Sequence, residues 1–157
     1  MSMHFWTERG YGVDSHVLKT SDKHKKADFV RNHLYGSLKS WVEHTASDTG
    51  TNINDDDEFT EMFAEYESEN TAAGYGIGID VALADIMAHE TGMTIEATSI
   101  NESGEYAIIL PESMPWNYSD AERVLNPYDL DEIFDNYMSA IGATTGQTDH
   151  VSIECYG

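Results

Sequence analysis

Eight carboxylates crowd the fifteen residues from Asp55 to Glu69, in the stretch NDDDEFTEMFAEYESEN. Carboxylates with no base, nucleophile or thiolate beside them do one thing well: they accept charge-assisted hydrogen bonds from guanidinium and ammonium groups. The chemistry on offer is electrostatic capture. Phe59, Met62, Phe63 and Tyr66 recur at i, i+3, i+4 and i+7, the period of one buried helix face. Asp57, Glu58, Glu61, Glu65 and Glu69 fall largely away from that face. Helical residues four apart are separated by about 6 Å of rise, so Glu61, Glu65 and Glu69 form a ladder of like charge. Its repulsion costs roughly a few tenths of a kcal/mol per pair. A second set, Asp129, Asp131, Glu132 and Asp135, takes the outer face and first turns of a later helix. With Asp55 and Asp56 these are the candidate partner-binding residues.

The other chemistry-bearing residues do not assemble a catalytic motif. Gly74-Tyr75-Gly76-Ile77-Gly78 precedes a helix, as a phosphate loop would. A dinucleotide fingerprint needs a strand before its glycines, however, and a Walker loop needs a following Lys. A turn requiring positive φ is the simpler expectation. Asp48 to Glu58 is rich in oxygen ligands, but a calcium loop needs Gly at its sixth position. Counting from Asp48 that position is Ile53; counting from Asn52 it is Asp57. The seven histidines lack HExxH spacing, and His89, beside Glu90, reads as a solvated or core-satisfied side chain. Cys155 is the single cysteine, which leaves no intrachain disulfide and no Cys-based zinc site. Its place in the alternation Val151, Ile153, Cys155 makes it a small buried hydrophobe. No Gly-x-Ser-x-Gly elbow is present. No cofactor, no metal and no enzymatic activity are expected. A small enzyme with a site assembled from distant residues is the alternative.

Charge narrows the partner. The chain of 157 residues carries a formal net charge of −21, unevenly spread. Residues 1–40 sum to +3, with Lys19, Lys23, Lys25, Lys26 and Lys39 among their cations. After residue 40 the only Lys or Arg is Arg123. Such a balance opposes direct binding to nucleic acid or to an anionic membrane. It favours a basic protein, with electrostatic steering of the encounter. The cluster Lys23, Lys25 and Lys26 reads as a solvated basic face or as a patch that docks on acidic surface, the chain's own or that of a second copy in a homodimer. A halophile-type acidic coat on an ordinary interaction domain is another reading. The undiluted basic cluster and the plentiful Phe, Met, Ile and Trp weigh against it.

Length and 40% apolar content suit one globular domain, residues 1–157, with a core of its own. No apolar run approaches a membrane span, and MSMHFWTERG lacks a signal-peptide core, so a cytoplasmic location is expected.

The elements that must hold these residues follow in order. Residues 3–18 read as extended, with a turn at Gly10-Tyr11-Gly12. Thr20 or Ser21 caps a helix whose stripe is Ala27, Val30, Leu34, Leu38 and Trp41. Residues 45–56 form a polar loop into the acidic helix. A further helix follows Asp80 and stops at Gly92. MTIEATSI and EYAIILP flank Asn101-Glu102-Ser103-Gly104 as a hairpin over about 93–110, with Ala107 to Leu110 a central strand. Pro127 opens an amphipathic helix through Leu130, Ile133, Phe134, Tyr137, Met138 and Ile141, ended by Gly142. Val151 to Tyr156 closes the chain as a strand. The expected fold is α+β, a mostly antiparallel sheet packed against three to four amphipathic helices.

In size, charge and acidic helices such as 57–69 and 127–141, the chain resembles a class of small acidic phage and mobile-element inhibitors that mimic DNA, the anti-restriction and anti-CRISPR type. That resemblance implies stoichiometric inhibition. Carboxylates would occupy the phosphate track of a host defence nuclease, a CRISPR effector or restriction enzyme.

Overall fold

The computed structural model describes residues 5–68, 78–98, 106–112 and 127–156. In chain order these form β1 (Phe5–Asp14), α1 (Ser15–Leu18), α2 (Lys23–Asn32), α3 (Gly36–Thr49), α4 (Asp56–Ser68), α5 (Ile79–Thr91), β2 (Glu96–Thr98), β3 (Ala107–Pro111), α6 (Pro127–Ala140) and β4 (Asp149–Tyr156). The strands make one antiparallel sheet in the order β2-β3-β1-β4. The fold is α+β, with six helices among the described residues. None of them is long and apolar enough to cross a membrane.

The hairpin partners pair as the sequence suggests, Glu96 with Ile109 and Thr98 with Ala107, and β3 is a central strand. Its connection at 101–104 lies outside the described residues. Pro127 takes the first position of α6, where its missing N–H costs nothing. Gly92 and Gly142 follow α5 and α6 at φ of 72° and 71°, the left-handed region that ends helices.

Five expectations are corrected. Residues 15–18, expected as extended chain, form α1. Gly10-Tyr11-Gly12 is not a turn but the middle of a ten-residue strand. These glycines are there for close approach. A Cβ on Gly10 would stand 2.9 Å from Ile109 Cβ, and one on Gly12 would collide with the Ile108 carbonyl. The single helix expected after Thr20 is two helices. His33 leaves helical geometry at φ −132°, and Gly36 turns the chain at φ 47°, while the stripe Leu34, Leu38 and Trp41 still packs on the core. Asp22 is the N-cap of α2, accepting from the Lys25 amide at 2.9 Å. Thr20 instead donates to the Val17 carbonyl and accepts from the Thr144 amide. The loop expected over 45–56 is shorter, because α3 runs to Thr49 and buries Thr45 and Ala46.

One face of the sheet carries the main core. Val13, Ile108 and Leu110 pack there with Leu38, Phe59, Phe63, Leu83, Ile86, Phe134 and Met138 from the helices. Among the described residues, the other face buries a smaller group from the strands, Ala107, Ile109 and Ile153, with Val151 against it. Both sides of the sheet are therefore committed to packing, which fixes its register.

Candidate functional site

The acidic helix α4 is anchored as its period requires. Phe59, Thr60, Met62 and Phe63 are buried, and α2 packs against it. Asp55 caps it, its side chain accepting from the Glu58 amide at 3.0 Å and its carbonyl from the Phe59 amide at 3.0 Å. Asp56, Asp57 and Glu58 fill the first turn, where the helix dipole favours anions. Asp56, Asp57, Glu58, Glu61 and Glu65 are all exposed. Glu69 and the Tyr66 side chain lie outside the described residues.

These carboxylates border a groove. Asp57, Glu58, Glu61 and Glu65 line one wall and Met62 the floor; Thr49, Gly50 and Thr51 close it, over ≈ 400 Å³. The opposing wall is the C-terminal end of α3, capped by Gly50 at φ 69°. Helix C-terminal carbonyls carry partial negative charge. Both walls thus favour a cation.

The basic cluster partly answers this charge from within. Lys23 pairs with Glu61 at 2.9 Å, both well exposed. Arg31 bridges Asp28, at 2.6 Å, and Asp56. Its hydrogen bond to Asp56, against the opposing effect of burial, raises the affinity of the guanidinium for its proton. The docking of this cluster onto the chain's own acidic surface is therefore realised by Lys23 and by Arg31. Lys25 contributes its backbone amide to the Asp22 cap.

The α6 carboxylates are differently placed. Asp131 accepts the Tyr11 hydroxyl of β1, and this bond, then burial, pushes the Tyr11 pKa up to about 12. Asp135 accepts from the Gly146 amide at 2.8 Å. Asp129 is half-buried and Glu132 exposed. Asp131 and Asp135 thus hold the fold together, and the four do not form one outer face. Helix α2, with its cations, packs against both α4 and α6, so the two acidic segments flank a partly basic helix.

One constellation escapes sequence reasoning. Glu90, near the end of α5, accepts from Tyr35 Oη at 2.8 Å and Tyr137 Oη at 2.7 Å, and pairs with His33 Nδ1 at 2.6 Å. Around it Phe29 stacks on His33 at 4.1 Å, and Tyr35 on His89 at 5.1 Å. Burial alone would raise the Glu90 pKa, but the three hydrogen bonds together outweigh it and leave the carboxyl below its ordinary value. Burial, with Glu90 as acceptor, also pushes the Tyr137 phenol well up. The partners lie 55, 47 and 57 residues away in sequence, and no local spacing announces them. His89 itself leans on Asp85, at 3.7 Å.

A folded pKa below the unfolded one adds stability above the unfolded value and loses it as pH falls through the folded one. Glu90→Gln should therefore lower stability at pH 7, by about 1–2 kcal/mol after allowing for water at a partly exposed cluster. The gap to the parent chain should close progressively below about pH 4.5. Urea melts at pH 7 and pH 3.5 measure this, and a gap that persists at pH 3.5 would contradict it.

Gly78 is the N-cap of α5 at φ −73°, and residues 71–77 of the glycine-rich stretch lie outside the described set. In the loop before α4, the Asn52 side chain accepts from the Asn54 amide at 3.0 Å. No group of three or more His, Cys, Asp or Glu among the described residues is arranged to hold a metal ion. Cys155 pairs with Trp6 in the sheet, and its side chain lies outside the described set. No protein family, curated protein or solved structure matches the chain.

Proposed function

We propose that this protein is a non-enzymatic inhibitor of the phage or mobile-element type. In this reading it acts in the host cytoplasm and seats the acidic face of α4 in the basic nucleic-acid channel of a defence nuclease. The observation that carries the reading is the groove beside α4. Four carboxylates stand on one side of a helix whose other side is locked into the core. From Asp57 to Glu65 the helix rises about 12 Å, so these four charges lie along it at unequal steps that average about 4 Å. One strand of duplex DNA presents a phosphate about every 3.4 Å. A channel lined with Arg and Lys for that spacing meets a similar array on α4, already ordered and free of the stiffness cost of bending DNA. Lys23 pairs with Glu61 inside the array. A partner arginine displaces it at little cost, because an exposed pair of this kind is worth at most about 1 kcal/mol.

The direct test is competition. The immobilised chain is challenged with purified nucleases of restriction and CRISPR type at 50 mM NaCl, and bound material is eluted with duplex DNA or with 500 mM NaCl. At least one nuclease should be retained, and both eluents should release it. Retention of none, or retention of a nuclease with DNA still in its channel, sinks the reading and leaves the acids as a solubilising coat.

A further inference from the structure

The α4 face uses none of the features around the β1–β4 pair. There, beside the first turn of α6, a cavity of ≈ 410 Å³ opens on the helix-covered face. It is lined by Arg9 and Tyr11 of β1, Leu110 and Glu112 at the end of β3, Leu130 of α6 and His150 of β4. Its volume lies within the range of small-molecule sites, about 300–1,000 Å³. Apolar walls with a few convergent polar groups are the usual make-up of such sites.

Two walls are held in place before any ligand arrives. The Tyr11 hydroxyl is fixed by Asp131, and the His150 ring stands edge-on to Tyr11 at 5.3 Å between centroids. Arg9 is the notable polar group. It faces Glu112 across the strand pair, whose amide donates to the Arg9 carbonyl at 2.9 Å. Among the described residues the Arg9 guanidinium makes no ion pair, whereas Arg31 is held by two carboxylates. In a chain of net charge −21 the overall field repels anions. The Arg9 guanidinium, beside the apolar wall of Leu110 and Leu130, is the place where that repulsion is locally reversed.

We propose that this cavity binds a small organic anion, an apolar body ending in a carboxylate or sulfonate, with Arg9 as its charge anchor. The body packs on Leu110, Leu130 and the Tyr11 ring, and His150 supplies a second donor. Glu112 opposes the bound charge, which limits the site to ligands with a single anionic group near Arg9. Asp131, already engaged by Tyr11, adds little further repulsion.

The probe is 8-anilinonaphthalene-1-sulfonate, titrated by fluorescence into the full chain. Its uncharged analogue N-phenyl-1-naphthylamine serves as comparison. The sulfonate should bind saturably at one site per chain and more tightly than the neutral compound, in spite of the net charge. Arg9→Gln should weaken it by about tenfold, and Glu112→Gln should tighten it. Both side chains are exposed, and equal urea midpoints would show that the variants fold. Absence of saturable binding overturns the proposal. So does sulfonate binding that Arg9→Gln leaves unchanged, or a preference for the neutral probe, since the cavity would then be apolar without being selective for anions.

Discussion

Gly12→Ala should cost about 3 kcal/mol or more, the upper part of the range for forcing atoms into a packed core. The added Cβ would fall on the Ile108 carbonyl oxygen and within 2.9 Å of Ile109 Cα. Both are backbone atoms of the strand paired with β1, so no side chain can swing aside. Relief requires β1 and β3 to separate where Gly12 pairs with Ile109, and β1 is held on its other side by β4. A loss of that size is a large share of the 5–15 kcal/mol that holds an ordinary domain together. Gly50→Ala provides the comparison. Gly50 sits at φ 69° with nothing within 4 Å of its virtual Cβ, so only the left-handed backbone penalty of about 1–2 kcal/mol applies. Urea midpoints of the two variants should separate clearly, Gly12→Ala being much the weaker. Equal midpoints would mean that the strands part cheaply and that their close approach is not a constraint.

Neutralising the α4 face is the second large effect, on binding rather than on stability. The triple change Asp57→Asn, Glu61→Gln, Glu65→Gln removes three exposed charges from the groove wall and keeps side-chain size. Close interfacial charge pairs couple by about 1.5 kcal/mol or more, so affinity for a nuclease partner should fall on the order of a hundredfold or beyond. Association should slow and the salt dependence of affinity should flatten, because steering comes from the same charges. Folding should barely notice. Loss of the exposed Lys23–Glu61 pair and of a first-turn acid is offset by relief of like-charge repulsion, and the sum should stay within about 0.5 kcal/mol. Asp131→Asn is the contrasting variant, since its carboxylate holds Tyr11; it should lower stability and leave binding to α4 alone. Surface-plasmon measurements at two salt concentrations, with thermal melts, separate the two outcomes. Undiminished affinity in the triple variant would remove α4 from the interface.

What could be read from the chain and what could not divide along a physical line. Apolar period found α4, α5, α6, β3 and β4, because Phe59-Met62-Phe63 and Phe134-Met138 each report a single buried face. Caps and stops held where one residue decides them, as at Pro127, Gly92 and Gly142. Glycine was the ambiguous letter. Gly10 and Gly12 resemble a turn, but what demands them is Ile108 and Ile109, nearly a hundred residues away, and no local window contains that requirement. The break between α2 and α3 was hidden for a related reason. The stripe from Ala27 to Trp41 continues across it, since both helices bury the same side, and only the backbone at His33 and Gly36 changes direction. Of the site, the acids of α4 were legible as a group. Their partial neutralisation by Lys23 and Arg31, the internal duties of Asp131 and Asp135, and the Glu90 cluster all depend on which helices meet, which the period of one helix does not contain.

The position of β1 in the sheet has a consequence for how the chain reaches its fold. Phe5–Asp14 is the earliest strand, yet its neighbours are β3, from Ala107, and β4, ending at Tyr156. During synthesis this segment therefore leaves the ribosome with neither hydrogen-bonding partner in existence. Helices α2 to α5 close through shorter loops and can collapse first, while the sheet waits for the most distant contacts in the chain. Pairings of such sequence separation make for slow folding. In that interval β1 is an open edge, rich in aromatic residues at Phe5, Trp6 and Tyr11, of the kind that recruits the wrong strand. Low temperature during expression, which slows aggregation of the waiting edge, should raise the yield of folded protein.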